Sequence, residues 1–212
     1  MLRLILTRHG ETAWNAQGRY QGQHDIALNA VGRAQAAALA ARLATQRFDA
    51  IYASDLKRAW ATAEAIAARH SLPVTPEPRL REQCFGVFQG LTFAEIRARY
   101  PAEFAAWQAD RDNAPPGGET ITQFAARVGA VLGDLTRAHE AGTVLLVAHG
   151  GSMRELICRA LDLRPDARWS LGMDNASISE LRVYDEGVVL HALNDATHLN
   201  GASSGSQAMS SA

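Results

Sequence analysis

Two histidines each follow an apolar run and precede glycine: His9 in Arg8-His9-Gly10-Glu11, after Leu2 to Leu6, and His149 in His149-Gly150-Gly151, after Thr143 to Ala148. A neutral imidazole can attack phosphorus through one ring nitrogen when the other is fixed as a donor, for instance to a backbone carbonyl. Phosphoryl transfer also needs fixed positive charge for the transferring oxygens and an acid for the leaving group. Arg8 and Arg58 offer planar, permanently charged forks that suit phosphate oxygens. His149 would serve best as a cation beside the phosphoryl group, because a neighbouring dianion favours imidazolium. Glu82, in Arg79-Leu80-Arg81-Glu82, is the candidate proton donor, and the same carboxylate could then activate water. Taken singly, each residue has a plainer reading. A strand-end histidine can be an ordinary hydrogen-bonding residue, Arg58 a solvated arginine, and Glu82 a surface ion pair with its flanking arginines.

The elements must bring these groups together. Short apolar runs bounded by glycine read as buried parallel strands, whose carboxyl ends collect reactive groups, and this would place His9 beside His149. Thr12 to Leu28, rich in Gly, Asn, Gln and Asp, reads as a loop. Asn29 is suited to cap a helix reaching about Gln46, with Val31, Ala38, Leu39 and Leu43 facing inward. Asp49 to Ser54 reads as a short strand, and Ser54 or Asp55 as the cap of the next helix. Arg58 then falls in that helix's first turn, where the macrodipole favours anions, so an arginine there makes sense if a bound anion shares the site. Pro73 to Gly118, rich in proline and aromatics, reads as an excursion from the sheet, with capping-box spacing at Thr92 to Glu95. Thr120 to Gln123 repeats that spacing before a helix ending near Gly142, with Ile121, Phe124, Val128, Val131 and Leu135 inward. Gly150-Gly151 leads into a helix from about Ser152 to Leu161, leaving His149 beside exposed amides at its start. Ile178 to Tyr184 and Val188 to Leu193 suggest a hairpin at the sheet edge.

The resulting fold class is α/β, a three-layer sandwich with a mostly parallel central sheet flanked by helices. With 212 residues, 47% of them hydrophobic, residues 1–199 can bury the core of a single domain, and the Ser-, Gly- and Ala-rich 200–212 reads as a flexible tail. A net charge of -1 gives no long-range field for a polyanion, so neither nucleic acid nor an acidic membrane is an expected partner. Cys84 and Cys158 are the only cysteines, and the apolar run before Arg8 is too short for a signal peptide, which together suit a soluble cytoplasmic protein. No His-Glu-x-x-His, Cys-x-x-Cys or aspartate-rich loop is present, so no metal is expected. His24, His70, His139, His191 and His198 have no signature partners and read as solvent-facing or packing residues. Phe85, Phe88, Phe93, Tyr100, Phe104 and Trp107 read as the packing of a small core within the excursion.

The stretch Leu-Thr-Arg-His-Gly-Glu-Thr-Ala-Trp-Asn at residues 6–15 resembles the signature of the histidine phosphatase superfamily, also called the phosphoglycerate mutase-like family. Arg19-Tyr20-Gln21-Gly22, Asp25, Leu28, Gly32 and Gln35 resemble its continuation, and Ser54-Asp55-Leu56-Lys57-Arg58-Ala59 a second motif. Arg79 to Glu82, Pro116-Gly117-Gly118-Glu119-Thr120 and Val147 to Gly151 resemble the rest. The resemblance implies a phosphoglycerate mutase-like fold, a phosphohistidine on His9, a phosphate pocket of Arg8, Arg58 and His149, and Glu82 as general acid. It further implies that Asn15 and Gln21 contact the phosphoryl group, with Gly22 and Gly150 lining the substrate site. One departure is visible: Gln89 stands where many members carry Glu.

The implied function is hydrolysis of a small phosphorylated metabolite without a cofactor. Phosphoglycerate mutase, which would need 2,3-bisphosphoglycerate as primer, is the alternative, followed by a phosphate-binding protein without turnover. A compact segment between Glu82 and His149 favours the phosphatase, since a mutase must exclude water from its phosphoenzyme. The expected partner is a phosphomonoester substrate, and a homodimer is compatible with this reading.

Overall fold

The alternation of apolar residues along the strands decides the architecture. In the computed structural model, which describes residues 1–199, six strands form one sheet in the order β3-β2-β4-β1-β5-β6. They are β1 (Leu2–Arg8), β2 (Ala50–Ala53), β3 (Val74–Pro76), β4 (Gly142–Ala148), β5 (Ile178–Tyr184) and β6 (Gly187–Asp195). The first four are parallel, and β5 and β6 add an antiparallel hairpin at the edge. The expected tail at 200–212 lies outside the described residues.

Leu2, Leu4 and Leu6 of β1 and Val144, Leu146 and Ala148 of β4 point to one face, which is covered by α6 (Ile121–Ala138) and α7 (Gly150–Ala160). Ile5, Ile51, Leu145 and Val147 point to the other, under α2 (Ala30–Leu43) and α3 (Lys57–Ala67). Because side chains alternate along a strand and both faces carry aliphatic residues, helices must cover both sides. Each fully buried Leu, Ile or Val contributes about 1.5–3 kcal/mol, which makes an uncovered face untenable. The three-layer expectation therefore holds.

Register does the rest of the positioning. Leu2 to Arg8 pair in sequence with Gly142 to Ala148, so His9 and His149 are the next residues of two neighbouring parallel strands. The His9 N–H donates to the Ala148 carbonyl at 2.9 Å, extending the ladder into the site.

Several expectations need correction. Thr12 to Leu28 is not all loop: α1 (Ala13–Ala16) forms behind a capping box in which Thr12 Oγ1 accepts from the Asn15 N–H and Asn15 Oδ1 from the Thr12 N–H. Helix α2 is capped by Asn29 as expected but ends at Leu43, and its inner stripe is Gly32, Gln35, Ala36, Leu39, Ala40 and Leu43, which leaves Val31 exposed. Helix α6 stops at Ala138, since His139 is already extended. Val74–Pro76 belongs to the sheet as its edge strand, so the excursion begins after it; proline is tolerated there because an edge strand can lack a donor. Within the excursion, α4 (Phe93–Arg99) and α5 (Pro101–Ala109) enclose a small core of Phe88, Ile96, Phe104 and Trp107, against which Tyr20, Phe85 and Tyr100 pack. Phe93 sits at its edge, its ring 5.0 Å from that of Phe104 but still 42% exposed.

Candidate active site

The carboxyl ends of β1, β2 and β4 converge on one buried cluster. His9 and His149 are 3% and 0% exposed, with ring centroids 5.1 Å apart, and Arg58 between them is 0% exposed. His9 Nδ1 lies 2.6 Å from the Gly10 carbonyl oxygen. A carbonyl only accepts, so Nδ1 carries the proton and Nε2 presents its lone pair. Arg58 Nε donates toward both His9 Nε2 and His149 Nδ1, each at 3.2 Å. With Nδ1 accepting, the neutral His149 ring carries its proton on Nε2, which donates to Ser54 Oγ at 2.9 Å.

Arg58 is also tied to the loop after α1, because Nη1 donates to the His24 carbonyl and Nη2 to the Gly22 carbonyl, both at 2.7 Å. Gly22 is needed there for its φ of +50°, and because a Cβ would stand 2.0 Å from Gln89 Oε1. That Gln89 oxygen accepts from the backbone N–H groups of Gln23 at 2.8 Å and Phe85 at 3.3 Å, so Gln89 holds two loops together. The cap expected of Ser54 or Asp55 on α3 is absent. Leu56 is the N-cap, Asp25 reaches in to accept from the Lys57 N–H at 2.7 Å, and Asp55 instead pairs with Arg81. Ser54 is thereby left to orient His149.

Burial sets the electrostatics. It pushes both imidazoles well below their ordinary value of 6.5, and the neighbouring Arg58 charge pushes further in the same direction. His149 on its own therefore favours the neutral ring, and the cation expected of it depends on the dianion beside it. An incoming dianion would have to restore its proton. Arg8 and Arg58 are each lowered to about 10, mainly by burial, and remain charged at neutral pH. Arg8 Nη1 donates to the Met173 carbonyl at 2.7 Å, while its buried Nε has no hydrogen-bond partner among the described residues.

Glu82 does not pair with its flanking arginines: Arg81 binds Asp55, and Arg79 binds Glu77 and Asp134. Its own oxygens accept from the N–H groups of Gly151 and Gln83, both at 2.9 Å. The first of these lies at the start of α7, where free amides and the macrodipole attract a carboxylate. A Cβ on Gly151 would stand 2.1 Å from Glu82 Oε1 and push the carboxylate aside, whereas at Gly150 a Cβ would meet Arg8 Nε at an ordinary 3.6 Å. Thr12 Oγ1 donates to Gln21 Oε1 at 2.9 Å, and the Asn15 oxygen accepts from the Thr12 N–H at 3.1 Å. Both amide oxygens are engaged, which leaves both NH₂ groups as available donors.

Two groups beyond the expected set shape the site. Arg127 of α6 makes a two-point ion pair with Glu119 at 2.6 and 2.9 Å and donates to the carbonyls of Arg79, Arg81 and Glu82, clamping the segment that carries Glu82. Its sequence signal is a charge placed beside the apolar stripe of Phe124 and Val128. Asn175 Nδ2 donates to the His9 carbonyl at 2.9 Å, a contact 166 positions apart in the chain with no local signal. A separate cavity of about 530 Å³, lined by residues including Phe48, Arg69 and His70, opens at the amino ends of β2 and β3, away from this cluster. Among the described residues, no group of three or more His, Cys, Asp or Glu could hold a metal ion, and no helix is long and apolar enough to cross a membrane.

Residues 4–196 match the family described as the histidine phosphatase superfamily (branch 1). Phosphoserine phosphatase 1 of Hydrogenobacter thermophilus is 36% identical over 200 residues, covering 94% of this chain and 95% of that protein. Glucosyl-3-phosphoglycerate phosphatase of Mycobacterium tuberculosis is 41% identical over 189 residues, 84% of each. Among solved structures, a putative α-ribazole-5'-P phosphatase from Escherichia coli superposes with a TM-score of 0.87 at 31% identity, covering 92% of this chain and 96% of that one. The chain belongs to the histidine phosphatase superfamily.

Proposed function

We propose that the protein hydrolyses small phosphomonoesters through a phosphohistidine on His9 and needs no metal. The observation that carries this reading is the buried His9 ring, its tautomer fixed by the Gly10 carbonyl, with Nε2 directed into a cluster that holds two guanidinium groups. Nε2 attacks phosphorus, the N–P bond forms as the ester P–O bond breaks, and Glu82 gives a proton to the leaving oxygen. That proton resides on a lone pair not engaged by the Gly151 and Gln83 amides. Glu82 then takes a proton from water, the resulting hydroxide attacks phosphorus, and the N–P bond breaks to give inorganic phosphate and neutral His9. Arg8, Arg58, the Asn15 and Gln21 NH₂ groups and the Gly150 N–H hold the transferring oxygens, and His149 becomes a further cation once the dianion is bound. Gly22 supports the pocket from behind, its carbonyl holding Arg58 Nη2.

Hydrolysis, rather than isomerisation, is supported by the names of the relatives above, each a phosphatase of a small phosphorylated compound. In excess chelator the protein should release phosphate from p-nitrophenyl phosphate and form an acid-labile phosphoenzyme during turnover. H9A should abolish both, and phosphate release surviving that substitution would remove His9 as nucleophile. Interconversion of phosphoglycerates without phosphate release would point to a mutase instead.

A further inference from the structure

We propose that Arg154 receives a carboxylate on the leaving alcohol, so that the preferred substrates are carboxylate-bearing phosphomonoesters. This rests on the phosphatase reading above and adds to it the class of leaving group. Arg154 lies three and four positions after Gly151 and Gly150 on α7, and residues at that spacing share one helix face. Gly150 faces Arg8 and Gly151 faces Glu82, so Arg154 emerges from the same face one turn farther along the helix. Its Nε donates to the Leu171 carbonyl at 2.8 Å, two residues before the Met173 carbonyl that holds Arg8. Both guanidinium groups therefore hang from one backbone segment. Among the described residues, the terminal nitrogens of Arg154 make no hydrogen bond or ion pair, although the residue is half-buried.

Arg8 and Arg154 are close enough that, after burial, the charge of Arg154 lowers the pKa of Arg8, while Glu82 and Asp174 act in the opposite direction. In the proposed reaction Arg8 is occupied by the phosphoryl oxygens. Arg154, farther from His149 along the helix, then meets what is attached to them. A planar guanidinium with free terminal N–H groups fits the two oxygens of a carboxylate. A second phosphate fits less well, because a dianion there would meet the negative charge of Glu82 and Asp174, both near enough to act on Arg154.

The experiment compares kcat/KM within two substrate pairs that differ at the carboxylate, 3-phosphoglycerate against glycerol 3-phosphate and O-phosphoserine against O-phosphoethanolamine, with p-nitrophenyl phosphate as a reference. The wild-type protein should favour the carboxylate member of at least one pair by tenfold or more. R154M should cut that ratio at least tenfold, chiefly through KM, and R154K should retain part of it. Equal rates within both pairs, or a preference unchanged in R154M, would overturn the inference while hydrolysis of p-nitrophenyl phosphate upholds the phosphatase reading. Absence of hydrolysis on every substrate would defeat that reading itself. Should R154M not melt cooperatively, the wild-type ratios and R154K decide the matter.

Discussion

At the residue scale, the Glu82 carboxylate accepts two backbone N–H bonds and makes no ion pair with Arg79 or Arg81, which precede it in sequence. Those two arginines pair instead with Asp55, Glu77 and Asp134, which leaves the Glu82 carboxylate without a guanidinium partner from that segment. If Glu82 is the acid, its removal should matter in proportion to how badly the leaving group needs a proton. E82Q is expected to slow release of an alkyl alcohol by about 10²–10⁴-fold, the usual span for general acid catalysis, and that of p-nitrophenolate much less. Equal losses on the two kinds of ester would contradict the assignment.

At the scale of elements, α7 and α6 act on the same short segment from opposite sides. The first amides of α7 hold the Glu82 side chain, while Arg127 of α6 holds its backbone carbonyl and those of Arg79 and Arg81. Gly151 is where this arrangement can be perturbed with least damage to the fold. Alanine is favoured over glycine within a helix by about 1 kcal/mol, and the atom its Cβ would meet is the mobile end of a side chain. G151A should therefore keep its melting temperature within a few degrees while losing more than tenfold in kcat on alkyl phosphomonoesters. A normal rate would show that the Gly151–Glu82 contact has no part in the reaction. The same scale explains why caps were unevenly legible. Asn29, Thr92 and Thr120 bond to amides three residues onward and can be read locally, whereas α3 takes its cap from Asp25, which no local pattern reveals.

For the whole molecule, a net charge of -1 coexists with a buried cationic centre, so the field that matters is local, and burial together with the Arg58 charge favours neutral imidazoles beside it. His9, His149 and the partly buried His198 all have folded pKa values below 6.5, with burial the first cause in each case. Below 6.5 the unfolded chain therefore binds more protons than the folded one, and stability falls with pH. The contribution is complete above about 6.5 and is lost as pH drops from there toward the folded values. The melting temperature of the ligand-free protein should accordingly decline between pH 7 and about 5, before the carboxylates titrate. A flat or rising profile across that interval would show that the histidines are not held neutral. By itself, the sequence determined the layers, through alternating aliphatic strands, and named His9, His149, Arg8, Arg58 and Glu82, because residue type and order along the chain are enough to write a motif. Only the tertiary structure decided that burial lowers the pKa of His149, that Ser54 orients its ring, that Gln89 ties two loops, and that Arg127 and Asn175 brace the site. Those outcomes depend on strand register, burial and contacts between residues far apart in the chain, and these arise only when the elements pack.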